Sequence, residues 1–310
     1  MTMNKKEFIE YVQANIKSYL PDYIKDGCQI ELIEVTKNND ITLTGLNFNR
    51  GEGVPSPNFY FEPAYEAYCD GHTIEELLEN LAECAVNSWE IEIPIDIETA
   101  TYADIKDKLT YQVVDVLHNR GRLMNCPHTM MGNDLALIYY IEVPQEDGIM
   151  RALVSHGMMK DKGFEEATLK YDAKLNMEKI HEPVMLDMGN ASVNLLEQEA
   201  ESSGRGLYML TNKEFCCGAS TMFYDGVKDR IAEVIKGDYY ILPSSIHEVM
   251  IVPAEGANVS RLAEIIRDAN ETVVAPDEFL SNRLFSYDHK GKNLVEHVVP
   301  LARTIDDMER

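Results

Sequence analysis

Apolar positions fall at helical spacing from the start of the chain: Phe8, Val12, Ile16 and Tyr19 lie on one stripe, which predicts an amphipathic helix. Asn4 with Glu7 ahead of it has the capping-box pattern, and Pro21 closes the segment. The period then changes to two. Gln29 to Val35 and Ile41 to Phe48 alternate around Lys37-Asn38-Asn39-Asp40, a hairpin with Asn and Asp suited to its turn. Thr73 with Glu76 repeats the capping box, and Ile74, Leu77, Leu78, Leu81, Ala85 and Trp89 form a second helical stripe. From Glu90 to Glu98 the pattern alternates again with Pro94 on the polar parity, the signature of an edge strand or extended connector.

The middle of the chain predicts a short helix at Tyr102–Leu109, a strand at Tyr111–Val116 and a hairpin with arms Leu135–Val143 and Gly148–Ser155. A helix from Phe164 toward Met177 follows. Farther on, Leu207–Thr211 and Ala219–Tyr224 predict strands, and Asp225 caps a helix closed by Gly237. Tyr239–Leu242 and His247–Val252 read as strands, and Asn258 caps a helix carrying Leu262, Ile265, Ile266 and Ala269. The order ββα-ββα needs one shared sheet, because neither unit alone buries its apolar face. Tight connections make the pairing antiparallel. The fold class is therefore α+β, with antiparallel sheets built from β-hairpins and helices packed on one face. The expected domains are an N-terminal α+β domain at 1–188 and a C-terminal ββα-ββα domain at 189–290, with a tail or extra helix at 291–310. The boundary is placed in the Ser-, Gly- and Asn-rich stretch 189–206.

Composition narrows the setting. No apolar run approaches the roughly 20 residues that span a bilayer. The N-terminal lysines have no apolar region behind them, so no secretory signal is expected. Six cysteines without CxxC spacing read as free and mostly buried thiols of a cytoplasmic protein.

Charge adds more. The net charge is −25, and 51–105 contains thirteen acidic residues with no lysine or arginine. Such a field repels nucleic acid, whose phosphates need Lys and Arg. It draws a basic protein partner, with Glu75, Glu76, Glu79 and Glu83 on the capped helix as candidate partner-binding residues. The plainer reading is a solvated acidic face that keeps the protein soluble.

Strong catalytic and cofactor motifs are missing: there is no P-loop, GxGxxG, HExxH, GxSxG or paired CxxC, and no cofactor is expected. Pro243-Ser244-Ser245-Ile246-His247-Glu248 is the most suggestive group, with Ser244, Ser245 and His247 as candidate catalytic residues. If this stretch is strand, Ser245 and His247 share one face and Glu248 takes the other, so a triad needs a partner from elsewhere. The competing reading is a Pro-Ser-Ser turn entering a strand. His118, Cys126 and His128 lack a regularly spaced fourth ligand, so no metal site is assigned.

Six segments together resemble a bacterial domain-of-unknown-function family, DUF5688. They are IEVTKNNDITLTGL, YFEPAYEAYCDGHTIEELLENLA, CPHTMMGNDLALIYYIEV, YMLTNKEFCCGASTMFYD, YYILPSSIHEVMIVP and APDEFLSNRLFSYD, in the family's order across 5–290. The resemblance implies a bacterial cytosolic protein and carries no activity or catalytic residue. Two functions follow from the residues. One is a non-enzymatic interaction module presenting the acidic surface to a basic partner. The other is a small hydrolase-like enzyme centred on Ser244, Ser245 and His247.

Overall fold

The computed structural model describes residues 3–51, 56, 58–89, 95–97, 99–145, 148–189, 193–197 and 206–297. It divides into two compact units: 1–101 with 143–150, and 102–142 with 151–310.

In the first unit, helices α1 (Lys5–Asn15) and α2 (Asp22–Gly27) precede strands β1 (Gln29–Thr36), β2 (Thr42–Asn49) and β3 (Asn58–Tyr60). Helices α3 (Phe61–Cys69) and α4 (Ile74–Trp89) follow. The first capping box forms as expected: the Glu7 amide donates to Asn4 Oδ1 at 3.0 Å, and the Asn4 amide donates to Glu7 Oε2 at 2.9 Å. The hairpin pairs Gln29 with Asn49 through to Thr36 with Thr42. Ile74, Leu78, Ala82 and Ala85 of α4 join Phe8, Val12, Leu46 and Phe48 in one core. Glu75, Glu79 and Glu83 stay exposed on the same helix. Their repulsion costs a few tenths of a kcal/mol per pair, roughly. Burying Ile74 and Leu78 returns about 1.5–3 kcal/mol each, so the apolar stripe decides the helix. Of the alternating stretch 90–98, only 95–97 lies among the described residues.

The second unit opens with α5 (Tyr102–Ile105), β4 (Leu109–Asp115), α6 (Arg120–Leu123), β5 (His128–Met131), β6 (Leu135–Gln145) and β7 (Gly148–Leu153), of which 143–145 in β6 and 148–150 in β7 count with the first unit. Helices α7 (His156–Lys162) and α8 (Glu166–Ile180) come next. Strand β6 pairs with β4, β5 and β7 in a four-stranded sheet. Every residue of β4 is buried, and α8 lies against it: Asn176 Nδ2 donates to the Leu109 carbonyl at 3.0 Å. The rest comprises β8 (Pro183–Asp187), β9 (Tyr208–Asn212), α9 (Val227–Ile235), β10 (Tyr239–Leu242), β11 (Val249–Pro253), α10 (Val259–Thr272), β12 (Leu284–Asp288) and β13 (Asn293–His297). Their strands form one antiparallel sheet in the order β13-β12-β10-β11-β9-β8. The stretch 189–206 connects β8 to β9, which are neighbours in that sheet.

The α+β class and the antiparallel hairpins stand as expected, and the ββα-ββα order holds with a different strand in it. The first unit is β8-β9-α9, because Gly218–Phe223 is a 3-10 helix rather than a strand. Four further details differ. The residue before α9 is Gly226 with no side-chain cap, in place of Asp225. Lys236, not Gly237, takes the left-handed conformation that closes α9, at φ 65°. Ile265 faces outward on α10, where Leu262, Ala263 and Ile266 are buried. Part of the expected tail, Asn293–His297, is the edge strand β13, paired with β12.

A cysteine–histidine cluster as candidate functional site

The loop after β9 is held by one buried side chain. Asn212 Oδ1 accepts from the Cys216 amide at 3.1 Å, and Asn212 Nδ2 donates to the Cys216 carbonyl at 2.8 Å. Between and after these contacts the chain takes left-handed conformations at Phe215 (φ 52°) and Cys217 (φ 54°). Non-glycine residues in that region cost about 1–3 kcal/mol each and gather at functional sites. Gly218 then lets the chain pass close: a Cβ there would lie 2.2 Å from Thr211 Oγ1 and 2.7 Å from the His247 carbonyl.

The segment between β10 and β11 is tied to this loop. Thr211 Oγ1 donates to the His247 carbonyl at 2.8 Å, and the Ala219 amide donates to the Ile246 carbonyl at 3.1 Å. Ser245 forms an isolated bridge with Phe279, and strand β11 begins only at Val249. Residues 245–248 are therefore not continuous strand, and the expected face-sharing of Ser245 and His247 does not arise. Ser245 is buried, and its Oγ accepts from the His247 amide at 3.0 Å. The Ser244 carbonyl accepts from the Leu280 amide at 2.9 Å.

The partner His247 needs does come from elsewhere. Its Nδ1 accepts from the Cys217 amide at 3.1 Å, and its Nε2 lies 3.4 Å from Glu278 Oε1. These contacts place the ring proton on Nε2. The Cys216 and Cys217 sulfurs stand 3.8 Å apart, and both lie within 4.8 Å of a ring nitrogen of His247. Cys216 is exposed and Cys217 half-buried. On the inner side, Cys217 Sγ is 3.1 Å from Arg151 Nη1 and 3.5 Å from Gln112 Oε1.

Electrostatics separates the two sulfurs. The Cys217 thiol as hydrogen-bond donor, then His247, holds Cys216 far below the ordinary thiol range. The hydrogen bond to Cys216, together with burial, pushes Cys217 upward. The pair thus loses its first proton easily and its second with difficulty. His247 is raised by its hydrogen bond with Cys216 and by the charges of Cys216, Glu278 and Glu248, against an opposing effect of burial.

Behind Arg151 lies a buried charge network. Glu142 Oε1 forms an ion pair with Arg151 Nε at 2.7 Å, and its Oε2 lies 2.6 Å from His181 Nε2. Glu214 approaches His181 Nδ1 at 3.2 Å. Carboxylates at both ring nitrogens favour the doubly protonated imidazolium of His181. Burial works to lower its pKa, but Glu142 and Glu214 outweigh that and raise it. Burial likewise works to raise Glu142, and His181 and Arg151 outweigh it, leaving the carboxyl below its ordinary range.

Among the described residues, Cys216, Cys217 and His247 form the one group with donors placed to hold a metal ion. Two thiolates and an imidazole suit a thiophilic cation. His247 would first have to release the Cys217 amide or Glu278. His118, Cys126 and His128 do not form such a group: His118 Nδ1 is 2.7 Å from Asp115 Oδ1, and His128 Nδ1 is 3.2 Å from the Cys126 carbonyl. The expectation of mostly buried thiols also changes, since Cys69, Cys84 and Cys216 are exposed and only Cys126 is fully buried. A search for CxxC spacing passes over a vicinal Cys-Cys-Gly. The strand-to-loop position of that triplet is the signal that was there to read.

Fold and site define an α+β protein with a cysteine–histidine cluster at the end of an antiparallel sheet. The chain belongs to a family of unknown function, DUF5688, whose model matches residues 5–289. No curated protein and no solved structure matches it.

Proposed function

We propose that the protein is a cysteine-dependent enzyme of hydrolase or acyl-transfer type, with Cys216 as nucleophile. The observation that carries this is an exposed Cys216 sulfur beside Cys217 and His247, with Glu278 on the far side of the imidazole. A nucleophile, a base and a group that orients the base is the arrangement that activates a thiol. For His247 to exchange the proton with sulfur and leaving group, its Nδ1 must first release the Cys217 amide; Glu278 orients the ring through Nε2, and Arg151 with Gln112 positions Cys217. This keeps His247 from the sequence reading and moves the nucleophile from Ser244 or Ser245 to Cys216. A bacterial cytoplasm is the setting we assign, because it keeps such a thiol reduced. The test is incubation with a panel of activated esters and thioesters. A burst of leaving group matched by an acyl adduct on Cys216, lost in Cys216→Ser and His247→Ala, supports the reading. No burst and no adduct across the panel contradicts it.

A second reading, an interaction module for a basic protein, is favoured by the exposed Glu75, Glu76, Glu79 and Glu83 on α4. Glu76 is also the capping-box residue, bonded to the Thr73 amide at 3.0 Å. Affinity purification from cells at low and high salt tests it. A partner retained only at low salt supports electrostatic docking, and none at either salt concentration removes the reading.

A further inference from the structure

We propose that Cys216 and Cys217 form a dithiol redox centre that a small hydroperoxide oxidises to a reversible vicinal disulfide. The inference rests on the assignment of Cys216 as the reactive thiolate and adds a second chemistry to the same sulfur.

Three observations carry it. The sulfurs are 3.8 Å apart, so closing to a bond of about 2.05 Å needs side-chain rotation together with distortion of the peptide between the two residues. Cys216 is exposed, while Cys217 is half-buried behind it. A peroxide therefore meets the outer sulfur first, and the inner one is placed to resolve it. The left-handed Cys217 (φ 54°) and the Asn212 clamp on Cys216 fix both side chains on one tight loop.

The chemistry balances. The Cys216 thiolate attacks one peroxide oxygen, the O–O bond breaks, and with one proton taken up the products are a sulfenic acid and water, or an alcohol when the hydroperoxide is organic. The Cys217 sulfur then attacks the sulfenic sulfur. Its proton leaves with the hydroxyl as water, and an S–S bond forms. Two electrons have passed from the two sulfurs to the peroxide. A dithiol reductant returns them by thiol–disulfide exchange. Adjacent residues have Cα atoms about 3.8 Å apart, below the roughly 4.4–6.8 Å usual across a disulfide. The bond is thus strained and easily reduced, which suits a cycling centre and not a structural cross-link.

The test uses the full chain treated with hydrogen peroxide, blocked with iodoacetamide and digested with trypsin. The peptide Glu214–Lys228 contains Cys216 and Cys217 as its only cysteines. The expected product is that peptide two hydrogens lighter than its reduced form, closed to iodoacetamide and reopened by dithiothreitol. Cys217→Ser should lose the disulfide and pass on to sulfinic acid at Cys216. Fast alkylation of Cys216 in an unoxidised sample, with no disulfide in the parallel peroxide-treated sample, overturns this inference and leaves the nucleophile reading standing. Slow alkylation before any peroxide is added overturns both.

Discussion

Asn212 grips Cys216 by both backbone groups, accepting from its amide at 3.1 Å and donating to its carbonyl at 2.8 Å. Asn212 is buried at the end of β9, so the sheet sets where the exposed sulfur sits. Asn212→Ala removes two hydrogen bonds worth about 0.5–1.5 kcal/mol each and should cost about 1–3 kcal/mol. Thermal melting reads that loss. The rate of iodoacetamide labelling at Cys216 should fall with it, because the thiol no longer faces Cys217 and His247 in a fixed geometry.

Gly218 allows the loop and the His247 segment to touch. A Cβ at that position meets Thr211 Oγ1 at 2.2 Å, the Asn212 amide nitrogen at 2.6 Å and the His247 carbonyl at 2.7 Å. Two of these are backbone atoms and cannot swing away. Gly218→Ala should therefore destabilise by about 1–3 kcal/mol, the usual cost of overpacking. It should also slow Cys216 labelling more than an equally destabilising change in the core of the first unit, such as Leu78→Val.

The Glu142–His181–Arg151 network makes stability depend on pH in two directions. Glu142 sits below its ordinary range in the folded protein, so its contribution is present above about pH 4.3 and is lost as pH falls through the folded value. His181 sits above its ordinary range, so its contribution is complete below about pH 6.5 and is lost as pH rises through the folded value. The network stabilises most between those limits. Glu142→Gln should remove the acid-side fall in stability and weaken the alkaline-side one. Between those limits the substitution should cost about 3–5 kcal/mol, the penalty for leaving buried charges without their counterion. Denaturant titration at several pH values measures both effects.

On α4, Glu75, Glu79 and Glu83 repel one another at the surface. Glu79→Lys turns two repulsive pairs into attractive ones and should raise stability by a few tenths of a kcal/mol per pair, roughly. The gain should shrink in high salt. If α4 docks a basic protein, the same substitution should weaken that capture.

Local chemistry was legible in the sequence. Asn4 with Glu7, Thr73 with Glu76 and Asn258 before α10 are caps whose partners lie three residues away, and all three form. The 29–49 hairpin was readable for the same reason. What failed depended on distant contacts. Ala219–Tyr224 has strand-like alternation, yet Gly218–Phe223 winds into a 3-10 helix where the Val113 amide donates to Ser220 Oγ at 2.9 Å across 107 positions. His247 was singled out from Ser244-Ser245-Ile246-His247-Glu248, but its working neighbours are Cys217, 30 positions back, and Glu278 on a later turn. Spacing rules for metal and redox motifs have no place for adjacent cysteines, so Cys216 and Cys217 read as ordinary thiols. Arg151 and Gln112 reach Cys217 from β7 and β4, in another sheet. No pattern within the loop announces them.

The central claim is that Cys216 is an activated thiolate beside His247. Timed iodoacetamide labelling at pH 6, read cysteine by cysteine by mass spectrometry, tests it most directly, with exposed Cys69 and Cys84 as internal comparators. Cys216 should be labelled first and far faster than those two, and His247→Ala and Cys217→Ala should each slow it toward their rate. Labelling of Cys216 at the same rate as Cys69 and Cys84, unchanged by either substitution, would contradict it.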